Sequence, residues 1–284
     1  MKIKIYIFHI LVIINQKIKI FKNILENLMY YFLNSNHPSR IDFIKKNKVK
    51  VIKKNNKLFL FFGDSHVEYY SRYIKKKKLF TKAFWIGPQT IMGLISIKNN
   101  QNFQSNLKKI LRSKKKIYIF FSLGSIDIRA SFYELKLRKL INCEKDLYIL
   151  FEKSLNHLIL NIKRITKLYQ PKIKIGFFEI LKDSEKGNTP KNIYQLNLVR
   201  KKKEYPVFGS KKLRAKWLYN ANKILKKQCI KNKIKFLETN KFINNKLSSI
   251  HSLDGIHLTN EKTISKINDN IKIKFKIKKN EHNY

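Results

Sequence analysis

The chain has only two cysteines in 284 residues. Cys143 and Cys229 are far apart and fit no metal-ligand or redox spacing, which argues against a disulfide framework or a zinc site and leaves two buried or idle thiols. Arginine is scarce too, supplying 8 of the 63 basic residues. Arg is the side chain suited to bidentate recognition of bases and phosphates, so the formal charge of +45 is read as the Lys-, Ile- and Asn-rich composition of an AT-rich coding sequence. No specific nucleic-acid partner is expected, although so large a field attracts anionic surfaces, membranes and acidic glycans weakly. Long apolar runs are missing as well. Residues 5–14 are apolar except for His9 and follow a basic start, which imitates a signal peptide without an obvious small-residue cleavage site. Lys17 and Lys19 close that run well short of the roughly 20 residues a bilayer span needs. The expected location is cytoplasmic, with secretion or membrane association through the apolar run as the alternative. No internal repeat is evident.

What is present is the length for one globular domain with extensions. From residue 57 onward short apolar runs alternate with longer amphipathic stretches, the rhythm of a parallel sheet flanked by helices. Residues 58–62, 83–86, 117–123, 173–180 and 234–237 read as buried strands. Residues 143–169 repeat apolar side chains every three or four positions through Leu147, Phe151, Leu155, Leu158 and Ile162, and 211–232 do so through Leu213, Trp217, Ala221 and Leu225. Residues 182–206, with Gly187, Pro190 and Pro206, read as a long surface loop. The expected division is an extension over 1–50, an α/β domain over 51–275 and a basic tail over 276–284. In such folds ligands bind beyond the carboxyl ends of the strands, so function is sought in the residues that follow each one.

Gly63-Asp64-Ser65-His66 follows the first strand and puts a serine hydroxyl at a strand-to-helix turn, with the Ser65 N–H free to donate. Alone, the same residues are ordinary turn and cap chemistry. Near the other end, Asp254-Gly255-Ile256-His257 spaces an acid and an imidazole so that one turn holds both. The acid can fix the imidazole tautomer while the ring's other nitrogen takes a serine proton. Gly87 follows the second strand, and Gly124-Ser125-Ile126-Asp127-Ile128-Arg129 follows the third.

In this order these blocks resemble those of the SGNH, or GDSL-like, hydrolases, over about residues 58–258. The resemblance implies a three-layer α/β/α sandwich on a parallel, flavodoxin-like sheet. It implies Ser65 as nucleophile, His257 as base and then acid, and Asp254 as its orienter, with the N–H groups of Ser65 and Gly87 forming the oxyanion hole and Gly93 in reserve. No metal or organic cofactor is required. The third block departs from the family: Ile126 stands where Gly-x-Asn-Asp places an oxyanion asparagine, and loss of such a donor costs about 3 kcal/mol of transition-state stabilisation. The block also resembles a variant subgroup reading Gly-Glu-Ile-Asp-x-Arg, associated with surface-polysaccharide gene neighbourhoods, in which Ser125 replaces the glutamate. His66, Ser125, Asp127 and Arg129 are candidate substrate contacts, Arg129 through its planar fork or as a structural ion pair.

The expected function is a serine esterase or deacetylase acting on an acylated carbohydrate or small ester through a Ser65 acyl-enzyme. Three rivals stand beside it: an acyltransferase using the same triad, a non-catalytic glycan-binding protein motivated by Ile126, and an electrostatic nucleic-acid or membrane binder motivated by charge alone.

Overall fold

The structure is a computed structural model, and it describes residues 57–64, 66–67, 70, 81–85, 90–93, 116–169, 173–183, 187–202, 206–243 and 260–277. All of these belong to the unit Asn47–Tyr284. The extension over 1–50 and most of the tail over 276–284 fall outside the described residues.

Five strands are present: β1 (Lys57–Gly63), β2 (Thr81–Trp85), β3 (Lys116–Ser122), β4 (Lys174–Phe178) and β5 (Lys235–Leu237). They form one parallel sheet in the order β2-β1-β3-β4-β5, in register from Lys57 opposite Lys116 to Gly63 opposite Ser122. Each coincides with one of the five apolar runs, because a parallel strand covered on both faces has no polar side to show.

The two faces are built differently. Leu58, Leu60 and Phe62 of β1 join Ile117, Ile119 and Phe121 of β3 in a core shared with α2 (Glu144–Tyr169) and α4 (Lys211–Lys231). Side chains of opposite parity, Phe59, Phe61, Tyr118 and Phe120, form a second, aromatic layer with ring centroids 4.9 Å apart in the pairs Phe59–Tyr118 and Phe61–Phe120. Phe275 of α5 (Glu261–Phe275) closes over Phe120 edge-on at 5.2 Å, and Tyr70 stacks on Phe178 at 4.1 Å. The result is the expected three-layer α/β/α sandwich. Among the described residues no helix is long and apolar enough to cross a membrane.

Helix starts follow local chemistry. The Ser210 hydroxyl accepts the Leu213 N–H at α4, and the Asn260 side chain accepts the Thr263 N–H at α5. After β3 a π-helical turn, Asp127–Ser131, runs into α1 (Phe132–Leu137).

The 182–206 segment differs from its reading as a loop, because it contains the helix α3 (Ile193–Lys202). Its start is held reciprocally: the Gln195 N–H donates to Asn192 Oδ1 and the Lys191 N–H donates to Gln195 Oε1. Leu196 is buried against Ala130 and Phe208, with Val199 packed alongside. A single buried face and a weak periodicity hid this helix behind Gly187, Pro190 and Pro206.

Gly63 ends β1 where a Cβ would stand 1.9 Å from the Ser122 carbonyl oxygen, whereas at Gly176 the nearest atom is the tip of the Phe275 ring at 2.9 Å. Backbone cannot yield as a ring can. Gly63→Ala is therefore expected to cost about 3 kcal/mol or more and Gly176→Ala within about 1 kcal/mol. Urea unfolding of the two variants checks this, and equal losses would refute it.

Candidate active site

The carboxyl ends of β1, β3 and β4 each lead into a carboxylate that bonds to backbone. After β1, Asp64 is buried and its N–H donates to the Ser122 carbonyl at 3.0 Å, tying the β1 exit to the β3 exit. Asp64 Oδ1 accepts the His66 backbone N–H at 3.1 Å and meets His66 Nδ1 at 2.9 Å. Burial alone would raise the Asp64 pKa. The charge and hydrogen bonds of His66, aided by the charge of Arg129, outweigh it and hold this carboxyl below the ordinary aspartate value.

After β3, Asp127 is fully buried, with Oδ2 accepting the Ile91 N–H at 2.8 Å and Oδ1 reaching the Met92 N–H at 3.4 Å. The β3 exit thereby fastens the segment that follows β2. Burial pushes the Asp127 carboxyl up to about 7, the backbone donors offset part of that, and the nearby charge of Asp64 adds to it. After β4, Glu179 Oε2 accepts the Thr239 and Asn240 N–H groups at 2.9 and 2.8 Å, fixing the chain as it leaves β5. Asn222 works beside it, accepting the Ile180 N–H at 2.8 Å and donating to the Ile180 carbonyl at 3.0 Å.

Ser65, Gly87, Asp254 and His257 lie outside the described residues, as does His251. The described candidates are placed as follows. His66 is buried with its Nδ1 on Asp64, which makes it part of the turn's internal bonding. Ser125 is half-buried at the start of the turn that follows Gly124. Asp127 spends both oxygens on backbone donors. Arg129 is buried, with Nη1 donating to the Pro206 carbonyl at 3.0 Å while its own carbonyl accepts the Phe208 N–H at 2.7 Å. Ile126 packs toward the small cluster of Ala130, Leu196 and Phe208, so the position of the family's asparagine serves packing.

The reserve oxyanion donor is committed. The Gly93 N–H donates to Thr90 Oγ1 at 2.6 Å, so the N–H groups of Ile91, Met92 and Gly93 are all engaged. Tyr70, which sequence reasoning passed over, brings a buried hydroxyl with no hydrogen-bond partner among the described residues. Burial, then the charges of Asp64 and Glu179, drive its pKa well above the ordinary tyrosine value. Among the described residues no group of three or more metal-ligating side chains converges.

No family model matches the chain, and no curated protein matches it. Solved structures do. A protein assigned as a GDSL-like lipase from Parabacteroides merdae superposes with a TM-score of 0.50 at 13% identity, covering 79% of this chain and 98% of that one. A protein assigned as an SGNH hydrolase from Slackia heliotrinireducens gives 0.48 at 9%, covering 78% and 100%. An acetylxylan esterase from Geobacillus stearothermophilus gives 0.46 at 13%, covering 78% and 94%. At such identities the first of these establishes a shared fold. The chain has the architecture of the SGNH, or GDSL-like, hydrolases.

The Asp127 clamp has a pH signature. Its carboxyl rises from 3.8 to about 7 on folding, so between those values the native state keeps a proton that the unfolded state loses. Stability from this group falls as pH rises through that window, by up to about 2–3 kcal/mol between pH 5 and 8. Asp127→Asn keeps an acceptor for Ile91 and removes the titration. Wild-type stability relative to Asp127→Asn is expected to drop from pH 5 to pH 8 in denaturant melts. A gap independent of pH would rule out a titrating clamp.

Proposed function

We propose that this chain is a serine esterase of the SGNH type, acting on an acylated carbohydrate or other small ester. In this reading the Ser65 hydroxyl oxygen attacks the ester carbonyl carbon and its proton passes to His257, whose tautomer Asp254 fixes. The oxyanion accepts from the backbone N–H groups of Ser65 and Gly87. His257 then returns the proton to the departing alcohol oxygen, and water deprotonated by His257 cleaves the Ser65 acyl-enzyme to release the acid. No cofactor enters the cycle.

The observation that carries the reading is the bonding around the β1 exit. Asp64 is held to Ser122 on one side and to His66 on the other, which fixes the residues flanking Ser65 at the carboxyl end of the central strands, where this fold binds its ligands. The clamp of Asp127 on Ile91 and Met92 supports it by fastening the segment downstream of Gly87. With Gly93 committed to Thr90, Gly87 is the donor proposed from the stretch after β2. The likenesses to solved structures give the fold and leave the acyl group and the acceptor to the chemistry of this chain.

One observation favours a second reading. Ile126 packs toward Leu196 and Phe208 in place of a side-chain donor, which suits a glycan-binding protein that has kept the hydrolase fold.

Covalent labelling by a fluorophosphonate separates the two. On the esterase reading, mass spectrometry finds the label on Ser65, Ser65→Ala abolishes it, and His257→Ala slows it by about 100-fold or more. Absence of labelling in folded wild-type protein would overturn the esterase and favour the binding protein.

A further inference from the structure

A cleft of about 890 Å³ runs between α4 and the edge strand β5, bordered at one point by Ile128 of the turn that follows β3. Its lining includes neither Asp64 nor His66 of the β1 exit, and the residues that line it are unusually paired in charge. Three carboxylates face it, and all three are committed. Glu179 accepts two backbone N–H groups, Asp183 takes both Nε and Nη2 of Arg214 at 3.2 and 2.8 Å, and Glu238 binds Lys226 and Lys241 at 3.0 and 3.3 Å. Those pairings use up Arg214, Lys226 and Lys241. Lys182, Lys211 and Lys223 also line the cleft, and of these Lys211 and Lys223 have no ion pair among the described residues. Between them in sequence, on the same helix, Tyr219 lines the cleft and leaves its side chain 69% exposed.

We infer that this α4–β5 cleft binds an oligosaccharide carrying widely spaced acidic groups, with Lys211 and Lys223 meeting two of its carboxylates and Tyr219 lying against a sugar face. Spacing decides the class. The two ammonium groups belong to residues twelve positions apart on one helix, about 18 Å along its axis. A nucleic-acid strand carries a phosphate every few ångströms. Bound here, it would set phosphates against Glu179, Asp183 and Glu238, and the arginine that would grip them is already occupied by Asp183. A chain with acid groups on alternate sugars spaces its charges more widely, so that two can meet Lys211 and Lys223 while fewer lie against those carboxylates than along a nucleic-acid strand. An aromatic ring with most of its surface in water offers an apolar platform for such a ring, whose axial C–H groups present a flat face. The ligand's identity as a carbohydrate rests on the esterase reading, which this site deepens by naming an acidic glycan as the chain that carries the ester.

The test is isothermal titration of full-length Ser65→Ala protein, which cannot turn over substrate, with a hyaluronan hexasaccharide, uncharged chitohexaose and single-stranded decathymidylate. The hyaluronan hexamer is expected to bind at least about tenfold more tightly than chitohexaose. Adding Lys211→Ala and Lys223→Ala together is expected to weaken it about tenfold, and Tyr219→Ala about fivefold, with circular dichroism and melting temperature verifying the fold of each. No binding of the hyaluronan hexamer, binding indifferent to these substitutions, or tighter binding of decathymidylate through the same residues would overturn the proposal. Fluorophosphonate labelling of wild-type protein reads the esterase separately. A labelled protein that ignores the hexamer loses only this inference, and an unlabelled one that binds it loses only the hydrolysis.

Discussion

A buried carboxylate has to find donors, and in this protein that requirement organises the carboxyl end of the sheet. Acidic residues number 18 against 63 basic ones, yet the deeply buried charges after the strands include Asp64 and Asp127. Each spends itself on backbone N–H groups, and Glu179 does the same from a half-buried position. Asp127 and Glu179 share a pattern, a side chain that follows one strand bonding the segment that follows another, whereas after β1 the link is made by backbone. Asp127 links the β3 exit to the β2 exit, Glu179 links β4 to β5, and the Asp64 N–H links β1 to β3. An ionised carboxylate left without such partners in an apolar layer would cost several kcal/mol, so the exits that Asp127 and Glu179 join are fixed by the same necessity.

This bonding also explains why the acids do not behave alike. Asp64 shares its site with His66 and feels Arg129, which hold it ionised, while Asp127 has neutral backbone donors and Asp64 as a like-charged neighbour. Two carboxylates near each other in one buried region separate in pKa when only one has a cationic partner. That separation leaves Asp127 as the group whose charge changes near neutral pH, at the joint that fastens the segment after β2.

The sheet was legible in the sequence because its strands are short, apolar and covered on both faces, so that 117–123 and 58–62 could hardly be anything else. The helices α2 and α4 were legible through long three-and-four spacings. The helix α3 was not, since one buried leucine in ten residues gives no stripe, and its capping pair Asn192 and Gln195 sat among turn residues. The candidate site was legible as motifs and not as contacts. Nothing in the spacing of Asp127 points to Ile91, 36 residues earlier, and nothing in Glu179 points to Asn240, 61 residues later. Asp127 drew notice as a substrate contact because a motif records residue type, whereas its bonding to backbone depends on which strand exits the fold sets side by side.

Ile126 shows how packing and chemistry compete for one position. The turn after β3 begins with Gly124, at φ +102°, where a Cβ would come within 2.6 Å of the Ile180 side chain. From there the chain enters the π-helical turn, which directs Asp127 inward to its backbone donors and sets Ile126 against Leu196 of α3 and Phe208. A polar amide at 126 would face that apolar cluster and lose its burial, while isoleucine at the same point helps anchor a helix that has only one fully buried residue of its own. The cluster therefore accounts for the apolar residue without reference to catalysis. Isoleucine at 126 is thus compatible with the proposed oxyanion hole, which draws on backbone N–H groups and asks nothing of that side chain.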